Sequence, residues 1–393
     1  MSPFNTRRTG WQKAFGPMKQ GSIRGSIFAL CAVAIGAGVL SLPYVLAQNG
    51  WILGTILILV GAISGYWSMH MILVRSIDTN CKNFSELAQL AGGKPLTILL
   101  QISILSFMFG ACVSYQIIIT KLFVICCNNF GLSPSVTGDP GEGITTFKSV
   151  QAVITTVCII FPLSLAKSMA ALRYISIVSI AAILYTLIVM IVELPEYWSA
   201  FYNPDTFVYF SLNKNFFSGC SITFFSFTCQ ASILPIYSEL VNPNERRMMK
   251  VIGRSLLVDC IFYCSIALVG YFSTFNLTPD LVIARPLVPG WTKDYSMTIS
   301  CIAVILVVLV SSPANYFPFK NTVNYMITGS LNVSNKLSVN MCYLVPLVCW
   351  NNLSNKRWYQ GINLFYTIFF TTLSLIGYTS VIITIIDIAQ GNG

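Results

Sequence analysis

Charged side chains are scarce in this sequence of 393 residues, of which 9% are charged and 55% are hydrophobic. A soluble domain carries roughly 25% charged residues. The shortage excludes a soluble globular protein and indicates a polytopic membrane protein that is embedded mostly in hydrocarbon. The net charge of +10 therefore indicates basic cytoplasmic loops against anionic lipid rather than a nucleic-acid partner.

Side-chain sets that bind metals or perform catalysis are also missing. The sequence has one histidine and 13 cysteines, none of them in a C-x-x-C pair, which excludes a zinc site of the usual spacing. No nucleophile–base pair and no paired intramembrane carboxylates are present, so we expect neither an enzyme nor a cofactor. Most cysteines are interpreted as buried thiols, although one disulfide among Cys126, Cys127 and Cys220 is an open alternative.

Long apolar runs are what the sequence has instead. A membrane-spanning helix needs about 20 apolar residues, and the first run is too long for a signal peptide. We therefore expect an all-α protein with about ten spans. The runs cover 27–46, 51–74, 97–125, 149–166, 173–193, 215–237, 250–273, 296–317, a short piece at 341–350, and 362–387.

The loop charges predict the orientation. With the N-terminus in the cytoplasm, fifteen lysines and arginines fall on the cytoplasmic side and five on the other, which satisfies the positive-inside rule. We expect residues 1–25 to form a basic cytoplasmic tail and residues 26–393 to form the transmembrane domain.

The first span is interrupted by the stretch "AIGAGVLSLPY", Ala34 to Tyr44. Gly36 and Gly38 loosen the backbone, and Pro43 removes a helical N–H donor. Irregular backbone at membrane depth survives only where it is buried or lines a cavity. Freed N–H groups at the start of a half-helix suit a carboxylate, whereas a close-packing site or a simple kink is the alternative.

A second interruption falls in the span 215–237, which contains "FFSFTCQASILPIYSEL". An aromatic-rich helix is interrupted here by Ser226, Thr228, Gln230, Ser232 and Pro235. Polar residues within a span usually face a cavity or another helix. Interrupted first and sixth spans are what a fold of inverted five-helix repeats requires, with both breaks at the midplane. The pair therefore favours a binding site over a packing kink.

Five stretches in the same order resemble the amino acid/auxin permease family, most closely its branch of neutral and vacuolar amino acid transporters. The resemblance covers roughly residues 22–320 and the final span. The stretches are "GAGVLSLPYVLAQNGWILG", "YWSMHMILVRS", "IIFPLSLAKSMAALRYISIVSI", "FSFTCQASILPIYSELVNPNERRMMKV" and "SSPANYFPFK".

The resemblance implies a LeuT-type inverted-repeat fold of the APC superfamily, with repeats at about 26–194 and 215–350 and a final span at 362–387. It also implies that a substrate carboxylate meets backbone N–H groups and that its amino group meets carbonyl groups. The implied N–H donors belong to Gly36, Ala37, Gly38 and Val39. The implied carbonyls lie near Ala34 and Ile35 and around Ser226, and Gln230 stands where the family often has histidine. Phe225 and Phe227 are candidate pocket walls, and lipid-facing positions are their alternative.

Three departures from the family bear on ion coupling and completeness. Sodium-coupled relatives carry asparagine at the position of Ala32, although the hydroxyl of Ser311 is kept, so we expect proton coupling or no ion rather than sodium. Asp259, within the seventh span, is the best acidic candidate for a proton carrier, and a purely structural role is its alternative. The family's ninth span has no counterpart, which leaves Lys356 and Arg357 on the wrong side of the membrane.

The expected function is secondary active transport of small neutral amino acids by alternating access. A non-transporting amino acid sensor or scaffold on an organelle membrane is the alternative. The expected partners are an amino acid and the lipid bilayer, with the protein as a monomer. The expected location is the plasma membrane or an acidic organelle of the vacuole or lysosome type.

Overall fold

The computed structural model describes residues 21–81, 84–132, 137, 145–160, 162, 173–204, 207–212 and 215–328. All regular structure in these ranges is helical. The α-helices are α1 (Ile23–Ala34), α2 (Leu42–Asn49), α3 (Trp51–Thr79), α4 (Phe84–Asn129), α5 (Thr146–Ile154), α6 (Arg173–Phe201), α7 (Asn215–Ser226), α8 (Ile233–Glu239), α9 (Glu245–Thr274) and α10 (Tyr295–Thr328). A π-helical turn, Thr155–Ile160, extends α5, and short 3₁₀ turns connect several helices.

Each of the first eight predicted apolar runs overlaps one or more helices of the described residues. Within the described residues, four helical segments are long and apolar enough to cross a membrane: Trp51–Thr79, Gly110–Asn129, Val178–Phe201 and Glu245–Leu277. A fifth crossing arises if the pair Ile23–Ala34 and Gly38–Asn49, bent by 50°, forms one span. The predicted segments 341–350 and 362–387 lie outside the described residues.

Helix α4 begins before the predicted span 97–125 and contains a kink at two glycines. Gly92 and Gly93 have non-helical backbone angles, and Gly93 takes φ of 66°, a left-handed value that glycine adopts at little cost. Pro95 follows directly and cannot donate a backbone hydrogen bond. The helix is therefore kinked at this point, and the predicted apolar run 97–125 begins just after the kink.

The start of α1 is fixed by contacts on both sides. Ser22 caps the helix, because its hydroxyl oxygen accepts from the N–H of Gly25 at 3.2 Å. Gly21 is buried, and its carbonyl accepts from the N–H of Val241 at 2.9 Å. The helix thus begins three residues before the predicted boundary at residue 26.

Helix α9 lies at the centre of the described bundle and packs against α1, α2, α3 and α6. Its exposed face carries Leu257 and Ile261, whereas its buried face carries Ser255, Asp259 and Tyr263. Apolar residues outward and polar residues inward are typical of a helix that faces lipid on one side. The polar stripe of α9 therefore points at the two interrupted helices.

Small residues allow the helices to approach closely. A Cβ atom on Gly270 of α9 would lie 2.6 Å from Pro43 of α2, and one on Gly61 of α3 would lie 2.8 Å from the ring of Phe227. Helix pairs in membranes depend on such close packing because lipid provides no hydrophobic force between them. These glycines allow α9 and α3 to pack closely against the two interrupted segments.

Candidate functional site

The first helix breaks between Ala34 and the 3₁₀ turn Ala37–Ser41. Gly36 is extended, with φ of −107° and ψ of −156°, and its N–H donates to the carbonyl of Ala34 at 2.7 Å. The 3₁₀ turn then leads into α2, which has Pro43 in its first turn. The predicted interruption is therefore present, although the N–H of Gly36 is already bonded within the chain.

The predicted sixth span, 215–237, breaks after Ser226, where α7 ends. The N–H of Phe227 donates to Phe224 at 3.2 Å and that of Thr228 to Phe225 at 3.1 Å, so the last turn tightens to a 3₁₀ pattern. Cys229 then precedes the 3₁₀ turn Gln230–Ser232, which continues into α8. Both predicted breaks thus have the same plan of a helix, a short irregular link and a 3₁₀ turn.

The two breaks are in direct contact. A Cβ atom on Gly38 would lie 2.5 Å from the hydroxyl oxygen of Ser226 and 3.3 Å from its Cα. The Ser226 hydroxyl itself donates to the carbonyl of Ile222 at 2.9 Å. Gly36 lies against a third helix, because its Cβ would be 2.7 Å from the hydroxyl of Tyr115 in α4. A Cβ atom at either position would therefore force its neighbour to shift.

Tyr263 of α9 joins the ends of the two interrupted helices. Its hydroxyl oxygen lies 2.5 Å from the carbonyl oxygen of Ala34 and 3.0 Å from that of Ser226. Ala34 is the last residue of α1 and Ser226 is the last residue of α7. Carbonyls at a helix end have no partner within the helix, and these two share the single hydrogen of the hydroxyl, while the Ala34 oxygen also accepts from the N–H of Gly36.

The remaining predicted binding residues lie around this contact in different environments. Ile35 and Val39 are fully buried. Phe227 is also buried, and its ring centroid lies 4.8 Å from that of Tyr263, so it packs between α9 and α3. Phe225 is half-buried, whereas the side-chain oxygen of Gln230 is buried with no hydrogen-bond donor among the described residues.

Asp259, one of the two residues predicted for ion coupling, lies on the face of α9 that contacts α1. It is fully buried, lies one helical turn before Tyr263, and has no hydrogen-bond partner for either carboxylate oxygen in the described part of the chain. Cys31 of α1 lies beside it and donates to the carbonyl of Ser255 at 3.7 Å. Ser311 is half-buried in α10.

Sequence reasoning missed Tyr263, Tyr115 and Ser255. Ser255, Asp259 and Tyr263 are spaced by four residues, which places them on one face of a helix. A polar stripe of this kind within an apolar span was the available signal, because polar residues in a span usually face the bundle interior. Nothing in the sequence indicated which carbonyl groups Tyr263 meets.

A separate charged cluster lies near the N-terminal end of α10. The guanidinium group of Arg285 pairs with Glu193 of α6, lies 3.9 Å from Asp294 and stacks 3.7 Å above the ring of Tyr197. A cavity of about 200 Å³ is lined in part by Arg285 and Asp294 and contains none of the predicted binding residues. This cluster ties α6 to the start of α10 and is distinct from the helix breaks.

Comparison with known proteins identifies the family. Residues 19–376 match the family described as transmembrane amino acid transporter protein, which confirms the resemblance noted in the motifs. A putative amino acid transporter of Plasmodium berghei is 28% identical over 282 residues, covering 71% of this chain and 44% of that protein. A similar protein of Toxoplasma gondii is 27% identical over 270 residues, covering 68% of this chain and 36% of that protein.

A third relative has a more specific name. The sodium-coupled neutral amino acid symporter 2 of Danio rerio is 29% identical over 351 residues, covering 84% of this chain and 68% of that protein. The chain therefore spans less than half the length of the Plasmodium berghei and Toxoplasma gondii relatives and about two thirds of the zebrafish one.

Proposed function

We propose that this chain, which belongs to the transmembrane amino acid transporter family, moves small neutral amino acids across a membrane by alternating access. The observation that carries this proposal is the direct contact between the two interrupted helices at Gly38 and Ser226. Transporters built from inverted repeats bind their substrate near the midplane, where two discontinuous helices meet. We therefore propose a LeuT-type fold, with repeats at about 26–194 and 215–350.

The break in the first helix fits a carboxylate. The 3₁₀ turn Ala37–Ser41 begins directly after the extended residue Gly36, and the first N–H groups of such a turn have no partner within it. The positive end of a helix favours an anion at these groups. Because the N–H of Gly36 is bonded to Ala34, we assign the carboxylate to the N–H groups of Ala37, Gly38 and Val39.

The amino group of the substrate fits the C-terminal ends of α1 and α7. The carbonyls of Ala34 and Ser226 terminate α1 and α7, and the C-terminal end of a helix carries partial negative charge. These two oxygens converge on the hydroxyl of Tyr263. A zwitterion placed across the contact would therefore meet positive helix ends at its carboxylate and negative helix ends at its ammonium group.

Asp259 is our candidate for the proton carrier. Its carboxyl group is fully buried and has no hydrogen-bond partner among the described residues, and an ionisable side chain within a membrane span marks a functional site by default. Sodium coupling is the second candidate, because the zebrafish relative is named a sodium-coupled symporter. Ala32 contributes no side-chain oxygen beside the break, however, and a hard cation needs several oxygen ligands.

A sensor or scaffold that binds an amino acid without moving it is the alternative function. The sequence feature in its favour is that the family's ninth span finds no counterpart in this chain. For either function we propose a monomer with a cytoplasmic N-terminus, in the plasma membrane or in an acidic organelle.

Uptake into proteoliposomes tests the proposal. Purified protein is reconstituted and given labelled L-alanine under four conditions: no gradient, a sodium gradient, a proton gradient, and both. We expect uptake above that of empty vesicles and a stimulation by the proton gradient but not by sodium. Binding of L-alanine without uptake under all four conditions would support the sensor instead, and stimulation by sodium alone would establish sodium coupling.

A further inference from the structure

The hydroxyl of Tyr263 occupies the point on which the carbonyl ends of both interrupted helices converge. It lies 2.5 Å from the Ala34 oxygen and 3.0 Å from the Ser226 oxygen. Both carbonyls belong to the last residue of their helix, so both carry the partial negative charge of a helix C-terminus. A group with one hydrogen satisfies this point only partly, whereas an ammonium group has three hydrogens to donate.

Packing holds the hydroxyl in place. Tyr263 is fully buried, its ring lies against that of Phe227, and its backbone is in the middle of α9. The same helix contacts α1 twice more on the same face, through Ser255 to the Ile27 carbonyl at 3.2 Å and through the Cys31 thiol to the Ser255 carbonyl at 3.7 Å. The bridge is therefore part of a continuous contact between α9 and α1.

We propose that Tyr263 is a positioning residue that holds the ends of α1 and α7 together in the empty protein, and that the amino group of the substrate displaces its hydroxyl from these two carbonyls. The inference rests on the proposed function, because it assigns the ammonium end of the same site. The ammonium group replaces one shared hydrogen with up to three and adds charge to each bond, and charge-assisted hydrogen bonds are stronger than neutral ones.

This arrangement makes the amino group a requirement for opening the bridge. A carboxylate without an amino group has nothing to donate to the Ala34 and Ser226 carbonyls, so the Tyr263 hydroxyl stays in place. Recognition of the ammonium group and release of the two helix ends thereby become one event. L-alanine and propionate differ by the amino group, so comparing them separates a ligand that can displace the Tyr263 hydroxyl from one that cannot.

The first arm of the test examines the empty protein. Tyr263→Phe keeps the ring and removes the hydroxyl, and Tyr263→Met serves as a second variant without a hydroxyl. We expect amide hydrogen exchange in the segments 35–38 and 227–229 to become roughly fivefold faster, because one net hydrogen bond corresponds to a factor of this order. Exchange at wild-type rates in both variants would overturn the bridge.

The second arm measures binding of L-alanine and propionate to the same proteins. Without the hydroxyl to displace, alanine should bind Tyr263→Phe roughly fivefold more tightly than wild type, and propionate should bind both alike. Equal changes for both ligands would indicate a merely structural role and overturn the inference. Weaker binding of alanine alone would also overturn it, because Tyr263 would then bind the substrate directly.

The control is Tyr271→Phe. Tyr271 lies two turns further along α9, is buried, and has its hydroxyl 3.4 Å from the carbonyl of Val208, so neither exchange at the breaks nor alanine binding should change. If the wild type binds alanine, and Tyr263→Phe changes exchange and alanine affinity no more than Tyr271→Phe does, this inference is refuted and the proposed function stays intact. Wild type that binds no amino acid would refute both.

Discussion

Gly38 and Ser226 lie so close that a single added carbon atom on Gly38 would stand 2.5 Å from the serine hydroxyl oxygen. Gly38 belongs to the 3₁₀ turn of the first interrupted helix and Ser226 to the end of α7. Since an interrupted helix buries its loose backbone only where a partner covers it, each break covers the other. The absence of a side chain at Gly38 is what permits this contact.

Enlarging Gly38 should therefore separate the breaks. Gly38→Leu is expected to abolish amino acid binding, and Gly38→Ala to lower stability by about 1–3 kcal/mol, the usual cost of overpacking. The measurement is a thermal-shift titration with L-alanine in nanodiscs. Affinity for alanine that stays at the wild-type level in Gly38→Leu would show that this contact is not the binding site.

A second substitution tests whether the cost arises at Ser226. Ser226→Gly removes the hydroxyl that the new Cβ would meet, so the double variant Gly38→Ala/Ser226→Gly should be more stable than the two single effects predict. Residues in contact show coupling energies of about 0.5–3 kcal/mol. Strict additivity of the two single effects would mean that the helices have moved apart and that the contact does not set the cost.

Gly270 makes a similar contact between α9 and the second half of the first helix. A Cβ atom there would lie 2.6 Å from Pro43 and 2.8 Å from Val282, and the proline ring cannot rotate away. Gly270→Ala should lower the free energy of unfolding by about 1–3 kcal/mol, although alanine is the better helix former. Thermal denaturation in nanodiscs measures the difference.

Gly253 is the matched control on the same helix. Its Cβ would meet only Tyr66 at 3.7 Å, an ordinary contact, so Gly253→Ala should leave stability unchanged or raise it by up to about 1 kcal/mol through helix propensity. Equal effects of the two substitutions would contradict the close packing of α9 on Pro43.

The two breaks were predictable from the sequence because glycine, proline and hydroxyl residues interrupt otherwise apolar spans. The family was also predictable, because its motifs are contiguous stretches of the sequence. The bridge from Tyr263 was not, because it depends on the rotation of α9 against α1, and a polar stripe in α9 indicates an inward face without naming its partners. The bond from the Gly36 N–H to Ala34 is likewise a matter of local backbone angles that a sequence pattern does not determine.

The cluster around Arg285 also lay beyond prediction. Glu193 precedes a proline within α6, Arg285 follows a 3₁₀ turn and Asp294 precedes α10, so the three positions are far apart in the chain. From the sequence, Arg285 is only one of the five basic residues that the loop charges place on the non-cytoplasmic side. Their meeting depends on the packing of α6 against α10.

Glu193→Gln should destabilise the protein strongly. The side chains of Arg285 and Glu193 are 1% and 10% exposed, and breaking a buried pair by removing one partner costs up to about 3–5 kcal/mol. Glu193→Gln leaves Arg285 with Asp294 as its acidic partner, at 3.9 Å, so the loss should lie toward the lower end of that range. The midpoint of thermal denaturation should fall accordingly. The control is Asp78→Asn in the exposed pair with Arg75, whose side chains are 74% and 53% exposed, where less than about 1 kcal/mol is expected. Comparable losses in both variants would contradict the buried cluster.

Asp259→Asn tests the proposed proton carrier. The amide has nearly the shape of the carboxyl group but cannot take up and release a proton near neutral pH, so accumulation of labelled alanine driven by a proton gradient should be lost. Exchange of internal for external alanine, which needs no net proton movement, should persist in the same vesicles. Asp280→Asn is the control, because Asp280 is exposed and pairs with Lys121, and gradient-driven uptake should survive there. Uptake by Asp259→Asn that still responds to the proton gradient as in wild type would assign the proton to another group.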